Sequence, residues 1–186
     1  MGLLLLGLLL WVSVHLFPSV CKTARAGIVA KMGLMRYKGV FALLIVASIV
    51  LIVFGWRGMT PEQIYNPPAW GRHVTYLLVL VTFILFVAAK HKNNIKRVLR
   101  HPQMTVIVIW SIGHLLANGD NRSLILFTTL GLWAIAEIIL INKREGAWVK
   151  PEPVPVKKDV ITVVAGSVVY IVLALLHPYF TGVKLV

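Results

Sequence analysis

Six stretches of the chain are apolar over most of their length, at about residues 2–20, 39–56, 73–89, 102–118, 123–141 and 160–177. Inside them the apolar residues run on without the period-two alternation of a half-buried strand. The hydrocarbon core of a bilayer is about 30 Å thick and takes roughly 20 helical residues to cross. Lipid offers a backbone no hydrogen-bond partners, so only helices and closed β-barrels can span it. Continuous runs select helices. The pattern predicts an all-α integral membrane protein, one domain over 1–186 with about six transmembrane helices. Between the runs, "MTPEQIYNPPAW" (59–70) reads as a proline-rich loop over the outer mouth, and "VKPEPVPVKKD" (149–159) as an extended cytoplasmic connector. "NGDN" (118–121) reads as a tight turn in which Gly119 takes a left-handed cap. No internal repeat or low-complexity tract stands out.

Composition agrees with the pattern. With 59% hydrophobic and 13% charged residues, a chain of 186 residues has too little polar surface to cover a soluble fold. The net charge of +13 invites a nucleic-acid reading, but its placement argues against one. The connection after the first run holds Lys22, Arg25, Lys31, Arg36 and Lys38. The one after the third holds Lys90, Lys92, Lys96, Arg97 and Arg100, and the one after the fifth Lys143, Arg144, Lys150, Lys157 and Lys158. The alternate connections hold only Arg57, Arg72, Arg122 and Lys184. Fifteen basic residues against four orient the chain with the basic connections in the cytoplasm and both termini outside, as in a bacterial inner membrane. Membrane lipid is the expected partner, anionic headgroups included, and nucleic acid is not. The small-x-small pattern in "TARAG" (23–27) follows a run with no positive charge before it, so the first helix is expected to stay uncleaved. Cys21 is the single cysteine, which excludes an intramolecular disulfide, a cysteine zinc site and an iron–sulfur cluster.

Ionisable side chains inside hydrocarbon are costly unless paired or hydrated, so the few present call for a functional hypothesis. His15 lies far along the first run, in "LWVSVHLFPSV", beside a helix that Pro18 perturbs by removing the bond to the Val14 carbonyl. His114 lies deep in the fourth run, where Ile107, Trp110, His114 and Asn118 share a helical face. That face reads either as a cofactor wall or as polar contacts between helices. His101, in "RHP", precedes a proline suited to a first helical turn and reads as a cap or a residue tuning the site. Glu137 is the one acid well inside a run; it either orients an imidazole or carries a proton, or is a hydrogen-bonded interfacial carboxyl. His73, His91 and His177 fall at the ends of runs, where a histidine needs no special reason.

Zinc and copper sites usually take three or four protein ligands. Only His15 and His114 read as well buried, on different helices at comparable depths by helical rise. Two such imidazoles are what a b-type haem needs, because the porphyrin supplies four nitrogens and the protein the axial ligands. Many multi-helix proteins carry two intramembrane histidines, so spacing alone leaves the point open.

Four blocks then carry a resemblance: the first-helix His15, "RHP" at 100–102, W-x-x-x-H-L-L-A-N-G-D at 110–120, and "HPYFTGV" at 177–183. The chain resembles the NnrU family of bacterial membrane proteins, related to the zeta-carotene isomerase of plants and cyanobacteria, over nearly its whole length. The resemblance implies haem b with His15 and His114 as iron ligands. Trp110, Asn118 and His101 are then expected around the cofactor. It also implies either a redox-dependent cis–trans isomerisation of a hydrophobic polyene or chemistry linked to denitrification and nitric oxide. Whether the chain is an enzyme, which substrate it takes and its oligomeric state are left open. Two departures bear on this. The isomerase carries a cysteine one turn before its second haem histidine, where this chain has Ser111, which speaks against thiolate ligation. The "NGD" turn resembles the bacterial branch.

Two rival readings remain. The protein could be a non-catalytic haem-handling or assembly protein. "RHP" at a helix entry is also similar to membrane methyltransferases that use S-adenosylmethionine, but the paired glutamates of those enzymes are missing.

Overall fold

In the computed structural model, which describes residues 1–182 and Leu185 (Phe180 by its backbone alone), the regular structure is helical. The α-helices are α1 (Gly2–Val20), α2 (Lys22–Met32), α3 (Leu34–Arg57), α4 (Gly71–Lys90), α5 (Pro102–Ala117), α6 (Asn121–Glu145) and α7 (Lys157–Thr181), with a 3₁₀ turn at Asn94–Arg97. Five of them, α1, α3, α4, α6 and α7, are long and apolar enough to cross a membrane. The sixth apolar helix, α5, has 16 residues, about 24 Å at the helical rise. The protein is thus an all-helical, multi-pass membrane protein. Val183 and Lys184, the last positions of the motif at 177–183 and of the outer basic set, lie outside the described residues.

The connection after the first span is not a loop. Residues 22–32 contain no proline and are rich in alanine and long basic side chains, so they form α2. It ends at Gly33, whose φ of +84° only glycine adopts without strain.

The chain divides into two compact units: Met1–Pro67 with Asn118–Gly146, and Pro68–Ala117 with Ala147–Val186. In the first unit α1 packs on α3 and α6. Its interior is small and partly polar, and its exterior is greasy. Leu4, Gly7 and Leu8 form the buried stripe of α1, while Leu3, Leu5, Leu6 and Leu9 face outward. On α3 the buried residues are Ser48 and Gly55, while Leu43 and Phe54 are exposed. This inversion fits helices whose outer faces meet lipid, where close packing of small residues replaces a hydrophobic drive. A Cβ on Gly7 would come within 2.7 Å of the Ile52 nitrogen, and one on Gly55 within 2.6 Å of Leu4 Cα, so each glycine lets the opposing backbone in.

The proline-rich loop at 59–70 is tied to the start of α6. The amides of Ile64 and Tyr65 donate to the Gly119 carbonyl (2.8 and 3.1 Å), and the Asn121 amide to Glu62 O (2.9 Å). Gly119 does not adopt a left-handed conformation. A side chain there would run into the Tyr65 carbonyl and come within 2.6 Å of Gln63 Nε2. Close approach, not a positive φ, is what requires glycine at that point.

In the second unit α4 packs on α5 and α7. The Thr75 hydroxyl of α4 lies 2.6 Å from the Gly113 carbonyl of α5. At the basic end, Asn94 works as a clasp. Its amide donates to Asp159 Oδ1 (2.7 Å), and its side chain donates to Asp159 Oδ2 (2.6 Å) and Val154 O (2.7 Å) and accepts from the Val154 amide (3.0 Å). The proline-rich connector is therefore bound to the start of α7 rather than loose.

Candidate functional site

His15 sits in the first unit, in a nest of aromatic rings. The helical spacing i, i+4 puts Trp11 one turn before it, with ring centroids 4.2 Å apart. Trp133 of α6 stands edge-on at 4.8 Å and Phe41 of α3 at 5.7 Å. His15 Nδ1 lies 2.9 Å from the Trp11 carbonyl. A carbonyl only accepts, so the ring proton is on Nδ1 and the lone pair on Nε2. α1 continues through Pro18 to Val20. One turn past His15, the Ser19 hydroxyl donates to Glu137 Oε2 at 3.0 Å. Glu137 is 5% exposed, and Arg144 Nη1 reaches the same hydroxyl at 3.5 Å. The indole N–H groups of Trp11 and Trp133 are buried without an acceptor.

His114 sits in the second unit, near the end of α5, and repeats this construction. Trp110 is one turn before it with centroids 4.8 Å apart, and His114 Nδ1 lies 2.8 Å from the Trp110 carbonyl. Trp-x-x-x-His thus occurs on α1 and α5, each time with the imidazole fixed as the Nδ1–H tautomer. Metal-bound histidines are commonly held in this way, with the second ring nitrogen hydrogen-bonded to a carbonyl. The preceding turn carries Ser111, whose hydroxyl is buried without an acceptor.

His114 and Trp110 line a cavity of about 120 Å³ among α4, α5 and α7. Tyr76 and Phe83 of α4 and Tyr170 of α7 complete an aromatic wall. His177 of α7 also lines the cavity. It stands near the end of the apolar part of α7, which continues through Pro178 to Thr181.

The remaining candidates are placed as follows. α5 ends at Ala117, so Asn118 lies just beyond the helix that carries His114, and its carbonyl accepts from Tyr65 Oη at 2.8 Å. His101 precedes α5, and its carbonyl accepts from both the amide and the hydroxyl of Thr105 (each 3.0 Å), which is the behaviour of a cap. His91 Nε2 is 2.7 Å from Thr162 Oγ1, whose own proton goes to Lys158 O at 2.7 Å. His73 is exposed. Outside the spans, Asp120 caps α6. Burial raises its carboxyl pKa, but hydrogen bonds from the Ser123 hydroxyl (2.6 Å) and amide (3.0 Å), with Arg122 at 3.4 Å, outweigh burial and hold it below the ordinary value. Burial, aided by the charge of Asp120, raises the Tyr65 phenol.

The donor set fits an axial-ligand role. It offers neutral imidazoles with Nδ1 anchored, aromatic walls suited to a flat apolar ring, and few charged neighbours. Among the described residues no group of three or more His, Cys, Asp or Glu gathers for a free metal ion. Comparison with curated proteins gives no match, and comparison with solved structures gives none either. The family model described as "NnrU protein" matches residues 3–185, nearly the whole chain, and the protein therefore belongs to the NnrU family.

Proposed function

We propose that the protein is a haem b-binding protein of the bacterial inner membrane, in which His114 and His15 would hold the iron. The observation that carries this is the shared anchoring of the two rings. Each Nδ1 is tied to the carbonyl of a tryptophan one turn earlier, the arrangement commonly found behind metal-bound histidines. The anchor acts before any cofactor arrives. It fixes the tautomer and the ring plane, and so lowers the ordering cost of binding.

When bound, haem supplies one-electron redox chemistry and a coordination position at iron. The aromatic wall of Tyr76, Phe83, Trp110 and Tyr170 presents flat apolar faces beside His114. The buried indole N–H groups of Trp11 and Trp133 offer hydrogen bonds to an acceptor near His15. Glu137, held by Ser19, places a carboxyl one turn from Trp133 on α6. On such a haem the protein would act either in polyene cis–trans isomerisation or in nitrogen-oxide chemistry linked to denitrification. A haem-handling or assembly role needs the same site without turnover.

The test is an absorption spectrum of protein purified from haem-sufficient cells, oxidised and then reduced with dithionite. The expected result is a Soret band with sharp α and β bands on reduction, weakened in His15→Ala and in His114→Ala. A colourless protein, or bands that survive both substitutions, refutes the reading. Turnover of a polyene or a nitrogen oxide, with and without reductant, separates an enzyme from a handling protein.

A further inference from the structure

The chain carries no acidic residue before Glu62. The join of α1, α2 and α3 therefore holds Lys22, Arg25, Lys31, Arg36 and Lys38 with no carboxylate of its own. Inside that positive field two polar atoms are buried without a hydrogen-bond partner, Arg25 Nε and Tyr37 Oη. They belong to one contact: Arg25 Cζ lies over the Tyr37 ring, 5.5 Å from its centroid. Buried polar groups are nearly always hydrogen-bonded, so two unsatisfied donors side by side call for an acceptor from outside the chain. A guanidinium beside a hydroxyl suits the oxygens of a phosphate, which take several donors at once.

The surroundings point to the source of that phosphate. Arg25 and Tyr37 are only half-buried, so part of each side chain can be reached from outside. α2 has no buried residue, and its Ile28 is exposed. On α3, helical spacing puts Tyr37, Phe41 and Leu44 on one face. The Tyr37 and Phe41 ring centroids are 6.4 Å apart, and Leu44 is exposed. α3 is long and apolar enough to cross a membrane, so this face leads from the basic cluster into hydrocarbon. A polar head at Arg25 with an apolar tail along Phe41 and Leu44 is the outline of an amphiphile. A soluble anion would leave the apolar track unused.

We propose that Arg25 and Tyr37 seat the phosphate of a bound anionic phospholipid, whose acyl chain lies along Phe41 and Leu44. The site stands apart from the haem reading and needs no cofactor. It differs from the general attraction of basic segments to a negative leaflet, because it depends on one guanidinium and one hydroxyl. The five cations favour a head group of net negative charge over a zwitterionic one.

The experiment equilibrates the full chain in detergent with equal amounts of phosphatidylglycerol and phosphatidylcholine. Native mass spectrometry then counts the lipid that stays bound. Wild type, Arg25→Gln, Tyr37→Phe and Lys31→Gln are compared after circular dichroism and gel filtration confirm their fold. Wild type should retain phosphatidylglycerol in preference. Arg25→Gln should weaken that binding about tenfold or more, as expected for a lost charge-assisted hydrogen bond. Tyr37→Phe, which removes only the hydroxyl, should weaken it several-fold. Lys31→Gln makes the same charge change on a different face of α2 and should have little effect. Inorganic phosphate should not displace the lipid. Equal retention of the two lipids by wild type overturns the inference. So does a loss in Lys31→Gln as large as that in Arg25→Gln, which would reduce the site to a diffuse field. Unchanged binding in Tyr37→Phe, or displacement by inorganic phosphate, overturns it as well. Should Arg25→Gln fail to fold, the comparison of Tyr37→Phe with Lys31→Gln decides the matter.

Discussion

A single methyl group added to α3 should have opposite effects at its two ends. Gly39 and Gly55 both lie inside this helix. A Cβ on Gly39 meets nothing within 4 Å. Gly39→Ala should therefore show only the helical preference of alanine over glycine, a gain of about 0.5–1 kcal/mol. At Gly55 the new Cβ would fall 2.6 Å from Leu4 Cα and 2.8 Å from the Leu3 carbonyl carbon, with the Leu4 nitrogen closer still. These are backbone atoms, so no rotamer change relieves the overlap. Ordinary contact begins at 3.4 Å, so α1 and α3 must part locally by more than about 0.8 Å, the difference between 3.4 and 2.6 Å, because the Leu4 nitrogen is nearer than Leu4 Cα. Overpacking of this kind costs about 1–3 kcal/mol, and the helical gain offsets only part of it. The net expectation is a loss of about 1–2 kcal/mol for Gly55→Ala. Reversible unfolding in mixed micelles with increasing dodecyl sulfate, followed by circular dichroism, measures both variants against wild type. Equal midpoints for the two variants, or a rise for Gly55→Ala, would refute the close packing of α1 on α3.

The other expectations concern the polar ties. Asp120→Ala removes the cap of α6 and should cost about 1 kcal/mol. The Asp120 carboxyl is held below its ordinary pKa, so its stabilisation is complete above that ordinary value and fades as pH falls through the lowered one. The gap in melting temperature between wild type and Asp120→Ala should accordingly be constant at neutral pH and close in acid. A gap that instead widens in acid would contradict the sign. Ser19→Ala leaves the buried Glu137 carboxyl without its hydroxyl donor and should cost about 1–3 kcal/mol, with Glu137→Gln/Ser19→Ala losing less than the two single effects summed. Asn94→Ala breaks three side-chain bonds at the α7 entrance and should cost about 2 kcal/mol and speed proteolysis within 149–156. In a Cys21→Ser background, Thr60→Cys should react in intact cells with a membrane-impermeant maleimide and Lys150→Cys only after lysis, as the charge asymmetry requires. The reverse pattern would invert the topology.

Several features were legible because they depend on residue type along the chain. Apolar runs of span length fix helices, since a backbone in lipid has no other way to satisfy its polar groups. "RHP" marks the start of α5 because proline suits a first turn and His101 supplies the capping carbonyl. His15 and His114 stand out because an imidazole in hydrocarbon is rare. The Trp-x-x-x-His spacing common to both was there to be read as well, and its meaning rests on one fact of helical geometry: residue i−4 brings its carbonyl beneath the ring. α2 is masked in the sequence by its charge, although its residues favour helix.

What depends on contacts across the chain was not legible. Gly119 reads as a turn residue in sequence, and only the Tyr65 carbonyl pressed against it shows that the requirement is for space. Asn118 matches the helical phase of His114, but α5 stops one residue short of it. His177 lies at the end of an apolar run, and only the continuation of α7 past Pro178 and its packing on α4 bring that imidazole to the cavity of His114. Hydropathy records the partition of each segment between water and lipid, a property of the segment alone. The partners of a buried ring are set by which helices meet and at what rotation, and those follow from the fit of small residues such as Gly7 and Gly55 against a neighbouring backbone.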